Sequence, residues 1–364
     1  MKIFEDLEGS DFSHVEIRIF VQENRRTSSP TAKVVTAAFK ALLYTTPIRW
    51  MPWIRNMRPM SPERKLSPRR FFFPRKPSPP RLTNMRSLLS VPASQPKMVE
   101  KALTLDCDQI ILDLEDSVRP ADKDVARAYL KDFLSKVESK KRISLRVNEL
   151  ASSFARADID LICEFDSQPL SSIILPKIHN LDDVKSWARK LPADIQLEVQ
   201  IESSMGLTEA PQIASHPQVI SLAFGPADFM ASTGMPSSNP GTPWPEAANV
   251  LQWPLMQVVI AAHAYGKTAY DGPYFQITDH AGLLSSARTA RALGVDGKWV
   301  IHPNQIALVN EAFTPSPVEI AHAQEIIAAF NASSGATNLD GLMIDEASKK
   351  VAERLLERVT QIRK

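Results

Sequence analysis

From Arg86 onward, short apolar runs of residues alternate with amphipathic segments. Most of these runs are rich in β-branched and other apolar residues, as strands buried on both faces of a parallel sheet are. The eight runs lie at residues 86–93, 109–116, 142–149, 171–178, 195–203, 219–228, 267–274 and 296–303. The helical candidates between them include Lys97–Leu105, Ala121–Val137, Leu181–Leu191 and His280–Leu293.

The alternation of strand and helix, repeated eight times, predicts an α/β protein built as a (β/α)8 TIM barrel. A doubly wound open sheet is the alternative, but no GxGxxG turn follows any run to support it. We assign residues 85–314 to the barrel and residues 315–364 to a C-terminal helical extension.

Residues 1–84 have a different composition from the rest of the chain. From Arg25 to Lys97 the only acidic residue is Glu63, and Met57–Pro80 holds too many prolines for regular structure. This composition predicts a disordered, basic N-terminal extension.

An Arg-rich, Ser-rich and acid-poor segment is typical of a mitochondrial transit peptide. The acidic first 24 residues do not fit that pattern, and true initiation near Met51 or Met57 would reconcile the two observations. We expect a mitochondrial location, and a cytoplasmic one otherwise. A basic tail that binds nothing specific is the alternative.

Composition also excludes several classes of protein. The two cysteines, Cys107 and Cys163, form no CxxC motif, which argues against a disulfide framework or a zinc site and fits a reducing compartment. No stretch of about 18 uninterrupted apolar residues is present, so we expect no membrane-spanning helix. The basic tract lacks a recognition module, so we expect no nucleic-acid partner.

Ionisable residues collect at the C-terminal ends of the apolar runs. They are Glu115, Asp116, Arg146, Lys177, Glu202, Asp228, Asp271 and His302. In a TIM barrel this end forms the mouth, where catalytic groups lie. Lys177 and His302 have an alternative role, because each could simply hydrogen-bond carbonyl groups of the loops.

Glu202 and Asp228 end the fifth and sixth runs, and adjacent strands are about 4.8 Å apart. Two carboxylates without a nearby His or Cys suit a hard cation such as Mg²⁺, whereas pairing with Arg or Lys is the alternative. Arg146 suits bidentate binding of a substrate carboxylate. Asp113, Glu115 and Asp116 crowd the end of the second run and need neighbours such as Arg146, Lys101 or the metal to remain ionised. We expect Glu115 and Asp116 to hold metal-bound waters.

Seven segments in order resemble the citrate lyase β-subunit-like lyases of the HpcH/HpaI aldolase superfamily, a group that includes malyl-CoA and citramalyl-CoA lyases. The segments are RSLLSVPASQPKMVEKAL, ILDLEDSVRPADK, RVN, LPK, IES, FGPADF and DGKWVIHPNQI. The sequence departs from the family pattern at Ala93, at Gln95 and at Trp253–Pro254, where a proline interrupts a helix that is usually continuous.

The resemblance implies roles for individual residues. Glu202 and Asp228 look like the magnesium ligands, and Arg146 looks like the anchor of the substrate carboxylate. Lys101 matches a position that contacts CoA phosphates. Asp345 matches a catalytic carboxylate that enters the active site of a neighbouring subunit, which implies a homo-oligomer, either a trimer or a hexamer. A helix-start or solvated aspartate is the alternative for Asp345.

The function implied is Mg²⁺-dependent cleavage of a short 3-hydroxyacyl-CoA thioester into acetyl-CoA and a 2-oxo acid. Citramalyl-CoA is the preferred substrate and malyl-CoA the second. Two alternatives remain open: a citrate lyase β-subunit that needs an acyl-carrier partner, and a catalytically inert barrel that binds CoA esters.

Overall fold

A computed structural model describes residues 85–165, 169–239, 241–243, 249–333 and 335–362. The predictions made for residues 1–84, which concern disorder and targeting, lie outside the described residues. Most of the barrel and most of the C-terminal segment lie within them.

The sheet is a closed barrel of parallel strands, in which each strand pairs with its neighbours in the sequence and β8 pairs with β1. The strands are β1 (Ser87–Pro92), β2 (Gln109–Asp113), β3 (Arg142–Arg146), β4 (Ser172–Leu175), β5 (Leu197–Ile201), β6 (Val219–Phe224), β7 (Thr268–Asp271) and β8 (Gly297–Val300). Each lies within one predicted run, so the TIM barrel is confirmed. The observed strands end before the predicted runs do, because the last residues of each run begin the loops of the barrel mouth.

Helices surround the barrel and extend it at the C-terminus. They are α1 (Pro96–Ala102), α2 (Lys123–Lys136), α3 (Ala155–Cys163), α4 (Leu181–Ala188), α5 (Ser204–Thr208), α6 (Ala210–Ala214), α7 (Pro226–Thr233), α8 (Gln252–Ala264), α9 (His280–Ala292), α10 (Pro303–Phe313), α11 (Pro317–Ala332) and α12 (Glu346–Ile362). A 3₁₀ turn at Pro120–Asp122 precedes α2. Antiparallel hairpins pair Ser237–Asn239 with Thr242–Pro243, and Thr337–Leu339 with Leu342–Ile344.

Local sequence explains where several helices begin. Asn180 and Asp183 form a capping box at the start of α4, and Ser316 and Glu319 form another at the start of α11. The expected interruption at Trp253–Pro254 is wrong, because Pro254 lies in the first turn of α8. A proline there removes only an N–H that has no partner within the helix, so the helix starts at this point without a break.

The barrel interior changes character along its length. Near the N-terminal ends of the strands, Glu198 lies among neutral polar side chains, and an apolar cluster includes Leu88, Ile111 and Tyr270. Charged residues occupy the C-terminal ends, where Asp113 ends β2 and Arg146 ends β3. Of these three charged residues, Asp113 and Arg146 therefore lie at the mouth, and Glu198 lies near the other end of the barrel.

The C-terminal helix α12 is tied to the opposite end of the barrel. Arg358 donates from Nε to the carbonyl of Phe313 (3.1 Å) and from Nη2 to the carbonyl of Asp296 (2.5 Å), one residue before β8. Its guanidinium also lies 5.5 Å from the centre of the Phe313 ring. None of the helices among the described residues combines the length and apolar character needed to cross a membrane.

Candidate active site

A cavity of about 330 Å³ opens at the C-terminal ends of the strands. Its lining consists of Ser90, Asp113, Asp116, Ser117, Arg146, Gln200, Glu202, Gly225, Pro226, Ala227, Asp228, Pro273, Phe275, Trp299 and Ile301. The structure thus brings Arg146, Asp116, Glu202 and Asp228, which were predicted from sequence, to one cavity.

Arg146 is fixed by Asp113, a carboxylate to which the sequence assigned no site role of its own. Its Nε and Nη2 each donate to one oxygen of Asp113 at 2.7 Å, and its guanidinium carbon lies 5.7 Å from the centre of the Trp299 ring. Burial lowers the pKa of Arg146, but Asp113, Glu115 and Glu202 raise it more, so the net pKa is above the ordinary value. Arg146 is therefore a permanently charged group with a defined orientation.

Asp113 is fully buried, and both of its carboxylate oxygens accept hydrogen bonds. Besides Arg146, it accepts hydrogen bonds from the backbone N–H groups of Glu115 (2.9 Å) and Ser117 (3.2 Å) and from the Ser117 hydroxyl. Burial alone would raise the pKa of Asp113, but Arg146 together with these hydrogen bonds holds it below its usual value. A signal for Asp113 existed in the sequence, because alternation along β2 places it on the same side as Ile111, inside the barrel.

Glu115 and Asp116 are adjacent but have different environments. Glu115 is buried, with its two oxygens 2.9 Å from Arg146 Nη1 and 2.9 Å from Lys177 Nζ. These are ion-pair distances without the geometry of a directed hydrogen bond. Burial raises the pKa of Glu115 despite its two cationic neighbours. Asp116 is exposed at the rim, 3.7 Å from Lys177 Nζ.

The ammonium group of Lys177 contacts the carboxylates of Glu115 and Asp116, so the alternative in which it binds loop carbonyls does not hold. Its backbone N–H also donates to Glu202 Oε2 at 3.0 Å, and its φ of 53° lies in the left-handed region that non-glycine residues rarely adopt. His302, by contrast, accepts the backbone N–H of Asn304 at 3.2 Å and caps α10. His302 therefore caps a helix, which is neither a catalytic position in the cavity nor the contact with loop carbonyls that was its alternative.

Glu202 directly follows β5 and is buried, with 4% of its surface exposed. It accepts hydrogen bonds from Gln200 Nε2 (2.8 Å) and from Lys177 N. Burial, followed by the charges of Glu115 and Asp228, raises the pKa of Glu202 to about 8. Without a cation this carboxylate is consequently protonated over most of the acidic and neutral range.

Asp228 does not end a strand, which corrects the prediction. β6 ends at Phe224, and Asp228 lies half-buried in the first turn of α7. Gly225 joins the two elements, and a Cβ at that position would lie 2.4 Å from Cγ of Glu202. The glycine therefore makes room for Glu202 beside the start of α7.

The residues at the mouth fit a magnesium ion. Glu202 and Asp228 line the cavity and could hold the ion through hard carboxylate oxygens, and the buried Oε1 of Gln200 has no hydrogen-bond partner among the described residues. No group of three or more His, Cys, Asp or Glu side chains within the described part of the chain is arranged as a metal site. Mg²⁺ commonly takes one or two protein carboxylates and keeps waters or substrate oxygens in its other positions.

Three residues that were named from the sequence, Lys101, Asp345 and Asp271, do not line the cavity. Lys101 is exposed on α1, and Asp345 precedes α12, where it accepts hydrogen bonds from N and Oγ of Ser348 (both 2.8 Å). Neither lines the cavity. Asp271 forms a buried ion pair with Lys298 and likewise does not line it. Within one chain, Asp345 has the helix-start role that was its alternative, and its role in a neighbouring subunit stays a prediction.

The fold and site define a class: a TIM barrel with the guanidinium of Arg146 and the carboxylates of Glu202 and Asp228 at its mouth. The chain belongs to the HpcH/HpaI aldolase/citrate lyase family, which matches residues 86–303.

Among its relatives is the L-malyl-CoA/beta-methylmalyl-CoA lyase of Cereibacter sphaeroides, 34% identical over 318 residues that cover 79% of this chain and 98% of that protein. The human citramalyl-CoA lyase, named mitochondrial, is 33% identical and covers 76% of this chain and 86% of its own length. CitE from Mycobacterium tuberculosis, solved with magnesium, acetoacetate and coenzyme A, is 29% identical with a TM-score of 0.67, covering 77% of this chain and 100% of the other.

Proposed function

We propose that the protein is a magnesium-dependent carbon–carbon lyase that cleaves a short 3-hydroxyacyl-CoA ester into acetyl-CoA and a 2-oxo acid. The observation that carries the proposal is one cavity lined by an acidic ligand pair, Glu202 and Asp228, and by the oriented guanidinium of Arg146. The named lyase activities of the two relatives support the reaction class.

In this proposal each residue has a separate task. Glu202 and Asp228 hold the Mg²⁺ ion, which when bound supplies Lewis-acid polarisation of substrate oxygen. Arg146 binds the substrate carboxylate through N–H groups that Asp113 leaves available. Glu115 and Asp116 orient water at the rim.

The reaction breaks the bond between the hydroxyl-bearing carbon and the carbon next to the thioester. The hydroxyl loses its proton as the 2-oxo acid forms, and the electron pair of the broken bond passes to the thioester enolate. A proton then adds to that carbon and gives acetyl-CoA. Asp345 of a neighbouring subunit is our candidate for this proton transfer, because a carboxylate within reach of the acetyl carbon can act as a general acid.

A contact between subunits is supported by the surface beside Asp345. On the hairpin that precedes it, Leu342 and Met343 are 60% and 71% exposed. Exposed apolar residues in one patch are typical of protein interfaces. We therefore propose a homo-oligomer, a trimer or a hexamer, in which this hairpin contacts the next subunit.

Citramalyl-CoA is our preferred substrate and malyl-CoA the second. The two differ by one methyl group, which is worth only about 1–3 kcal/mol of discrimination in a pocket. The aromatic and apolar side chains that line the cavity, including Phe275, Trp299 and Ile301, offer surface to a methyl group.

The test is cleavage of both esters by the purified full-length chain, with Mg²⁺ and with EDTA, beside Asp228→Asn. We expect acetyl-CoA and the 2-oxo acid to form in equal amounts, only with Mg²⁺, and to disappear in the variant. Free CoA without a 2-oxo acid would mean hydrolysis and would contradict the lyase. Turnover only after an acyl-carrier partner is added would favour the citrate lyase subunit. Ester binding without any turnover would favour an inert barrel.

We also propose a mitochondrial location, which the Arg-rich, acid-poor N-terminal composition and the name of the human relative support. The test is the destination of a fluorescent protein fused behind residues 1–84. Diffuse cytoplasmic signal would contradict the proposal.

A further inference from the structure

Gln200 is a buried amide of which only one half is satisfied. It lines the mouth cavity and is 5% exposed. Its Nε2 donates to Glu202 Oε1 at 2.8 Å, whereas its Oε1 is buried and has no hydrogen-bond partner among the described residues. A buried acceptor that stays unsatisfied is costly. We therefore expect this oxygen to bind a donor that the chain itself does not supply.

Glu202 sets the orientation of this amide. A carboxylate that holds a cation only accepts hydrogen bonds, so the NH₂ group of Gln200 must face Glu202 and its oxygen must face away. Alternation along β5 places Glu198, Gln200 and Glu202 on the inside of the barrel, with Gln200 one step deeper than Glu202. Oε1 is therefore fixed at the floor of the cavity, beside a proposed metal ligand.

The acyl part of the proposed substrate has one group that fits this oxygen. Its carboxylate and its thioester carbonyl accept hydrogen bonds but do not donate them, whereas its hydroxyl group donates. In the 2-oxo acid that forms, the hydroxyl has become a carbonyl, which only accepts. An acceptor at the floor of the cavity therefore distinguishes a hydroxy acid from an oxo acid.

We propose that Gln200 is a specificity-determining residue, whose Oε1 accepts a hydrogen bond from the substrate hydroxyl and so favours a 2-hydroxy acid group over a 2-oxo acid. This inference rests on the proposed function, because it needs the ion at Glu202 and the carboxylate on Arg146. An amide oxygen is not a base at neutral pH. Gln200 therefore orients the hydroxyl group and does not remove its proton.

Trp299 provides the complementary observation in the same cavity. Its side chain lines the cavity and is 4% exposed, and its buried Nε1 has no hydrogen-bond partner among the described residues. The guanidinium carbon of Arg146 lies 5.7 Å from the centre of its ring. The Trp299 N–H therefore suits the carboxylate, which the hydroxy acid and the oxo acid share. The cavity thus has one acceptor and one donor left for a ligand.

The test compares lactate with pyruvate, which share a carboxylate and a methyl group and differ in having a hydroxyl or an oxo group. Their affinities for the full-length protein with saturating Mg²⁺ are measured from their methyl NMR signals, for the parent and for Gln200→Met, with both enantiomers of lactate. We expect the ratio of the two dissociation constants to shift against lactate by roughly tenfold in Q200M, the usual weight of one buried hydrogen bond.

Three further variants guard against misfolding and against general damage to the cavity. Gln200→Leu also removes the acceptor and should shift the ratio in the same direction. Trp299→Phe removes a donor from the same cavity and should weaken both ligands alike. Gln109→Met removes a buried glutamine that donates to Glu198 at 2.8 Å and does not line the cavity, and it should leave the ratio at its parental value.

Several results would overturn the proposal. An unchanged ratio in Q200M and Q200L would mean that Oε1 binds an ordered water only. Equal losses for both ligands, together with weaker Mg²⁺ binding, would make Oε1 a ligand of the ion instead. A parent protein that binds neither acid would leave no hydroxy-acid site. A shifted ratio in a protein that cleaves no ester would refute the lyase and would retain the role of Gln200.

Discussion

Glu198 and Glu202 lie four residues apart along the same strand region, both inside the barrel, and are 3% and 4% exposed. Glu198 accepts hydrogen bonds from the Gln109 amide (2.8 Å) and from three serine hydroxyls, those of Ser172 (2.5 Å), Ser221 (2.9 Å) and Ser144 (3.3 Å). Every donor around it is neutral, and both of its oxygens have partners. The hydrogen bonds of this carboxylate are therefore satisfied by side chains of its own chain.

Among the described residues, Glu202 accepts hydrogen bonds only from the Gln200 amide and the Lys177 N–H, and the charges of Glu115 and Asp228 raise its pKa. Burying a charge without compensating partners is costly. The comparison teaches that burial alone does not mark a functional acid in this barrel. What distinguishes the mouth is a deficit of donors and an excess of negative charge, which a bound cation removes.

The largest effect should come from Glu202→Gln. Loss of one of two acidic ligands should lower kcat/KM by about a thousandfold, because a bound metal supplies several kcal/mol of transition-state stabilisation. The stability of the metal-free protein at neutral pH should not fall, because the protonated Glu202 and the glutamine that replaces it are both neutral. Steady-state kinetics and thermal unfolding check this. Full activity in E202Q would break the distinction between the two glutamates.

Asp113→Asn should lower kcat/KM by about 10–100-fold, the usual cost of removing a group that orients a ligand-binding residue. The substitution leaves Arg146 with one acceptor and one clashing donor in place of two acceptors. Mg²⁺ affinity should change little, which isothermal titration calorimetry checks. A variant with parental kinetics would show that Arg146 is oriented without Asp113.

Glu198→Gln should show the opposite pattern to Glu202→Gln. Its new NH₂ group must face donors that now point at an oxygen, which we expect to cost about 1–3 kcal/mol of unfolding free energy. Mg²⁺ affinity should be parental. Urea unfolding and calorimetry measure the two quantities, and a loss of metal affinity with normal stability would contradict the structural role of Glu198.

The stability of the metal-free protein should depend on pH through Glu202. Its folded pKa of about 8 lies above the usual carboxyl value, so the folded state binds the extra proton between about pH 4.5 and 8. Stability from this group is present at low pH and is lost as pH rises toward 8. In EDTA the melting temperature of the parent protein should fall more steeply than that of E202Q as the pH rises from about 4.5 to 8. The same dependence of melting temperature on pH in both proteins would refute the raised pKa of Glu202.

The smallest effect is expected at Lys101, which is exposed on α1. Lys101→Ala should raise KM for the CoA ester by a few-fold with unchanged kcat, because exposed ion pairs contribute about 0–1 kcal/mol. The difference should shrink as salt is added. A variant with parental KM at low salt would remove Lys101 from the CoA site.

Periodicity and strand-end polarity were sufficient to predict the barrel and to bring Glu202 and Arg146 to its mouth. They also predicted that Asp228 lies at the mouth, but they assigned it to a strand end, because the apolar residues of AFGPADF continue from β6 into α7. Only Pro226 indicated the helix start. Asp113 was named only as one of three crowded carboxylates, because its bidentate pairing with Arg146 is a contact between strands that the sequence does not show. The left-handed backbone of Lys177 has no sequence signal, since lysine does not favour it.

The most direct test of the central claim is a crystal structure of the full-length protein with Mg²⁺ and pyruvate. The ion is predicted between Glu202 and Asp228, with the pyruvate carboxylate on Arg146 and with Glu198 still bound to its serines and Gln109. An ion bound at Glu198, or pyruvate bound away from Arg146, would contradict the account.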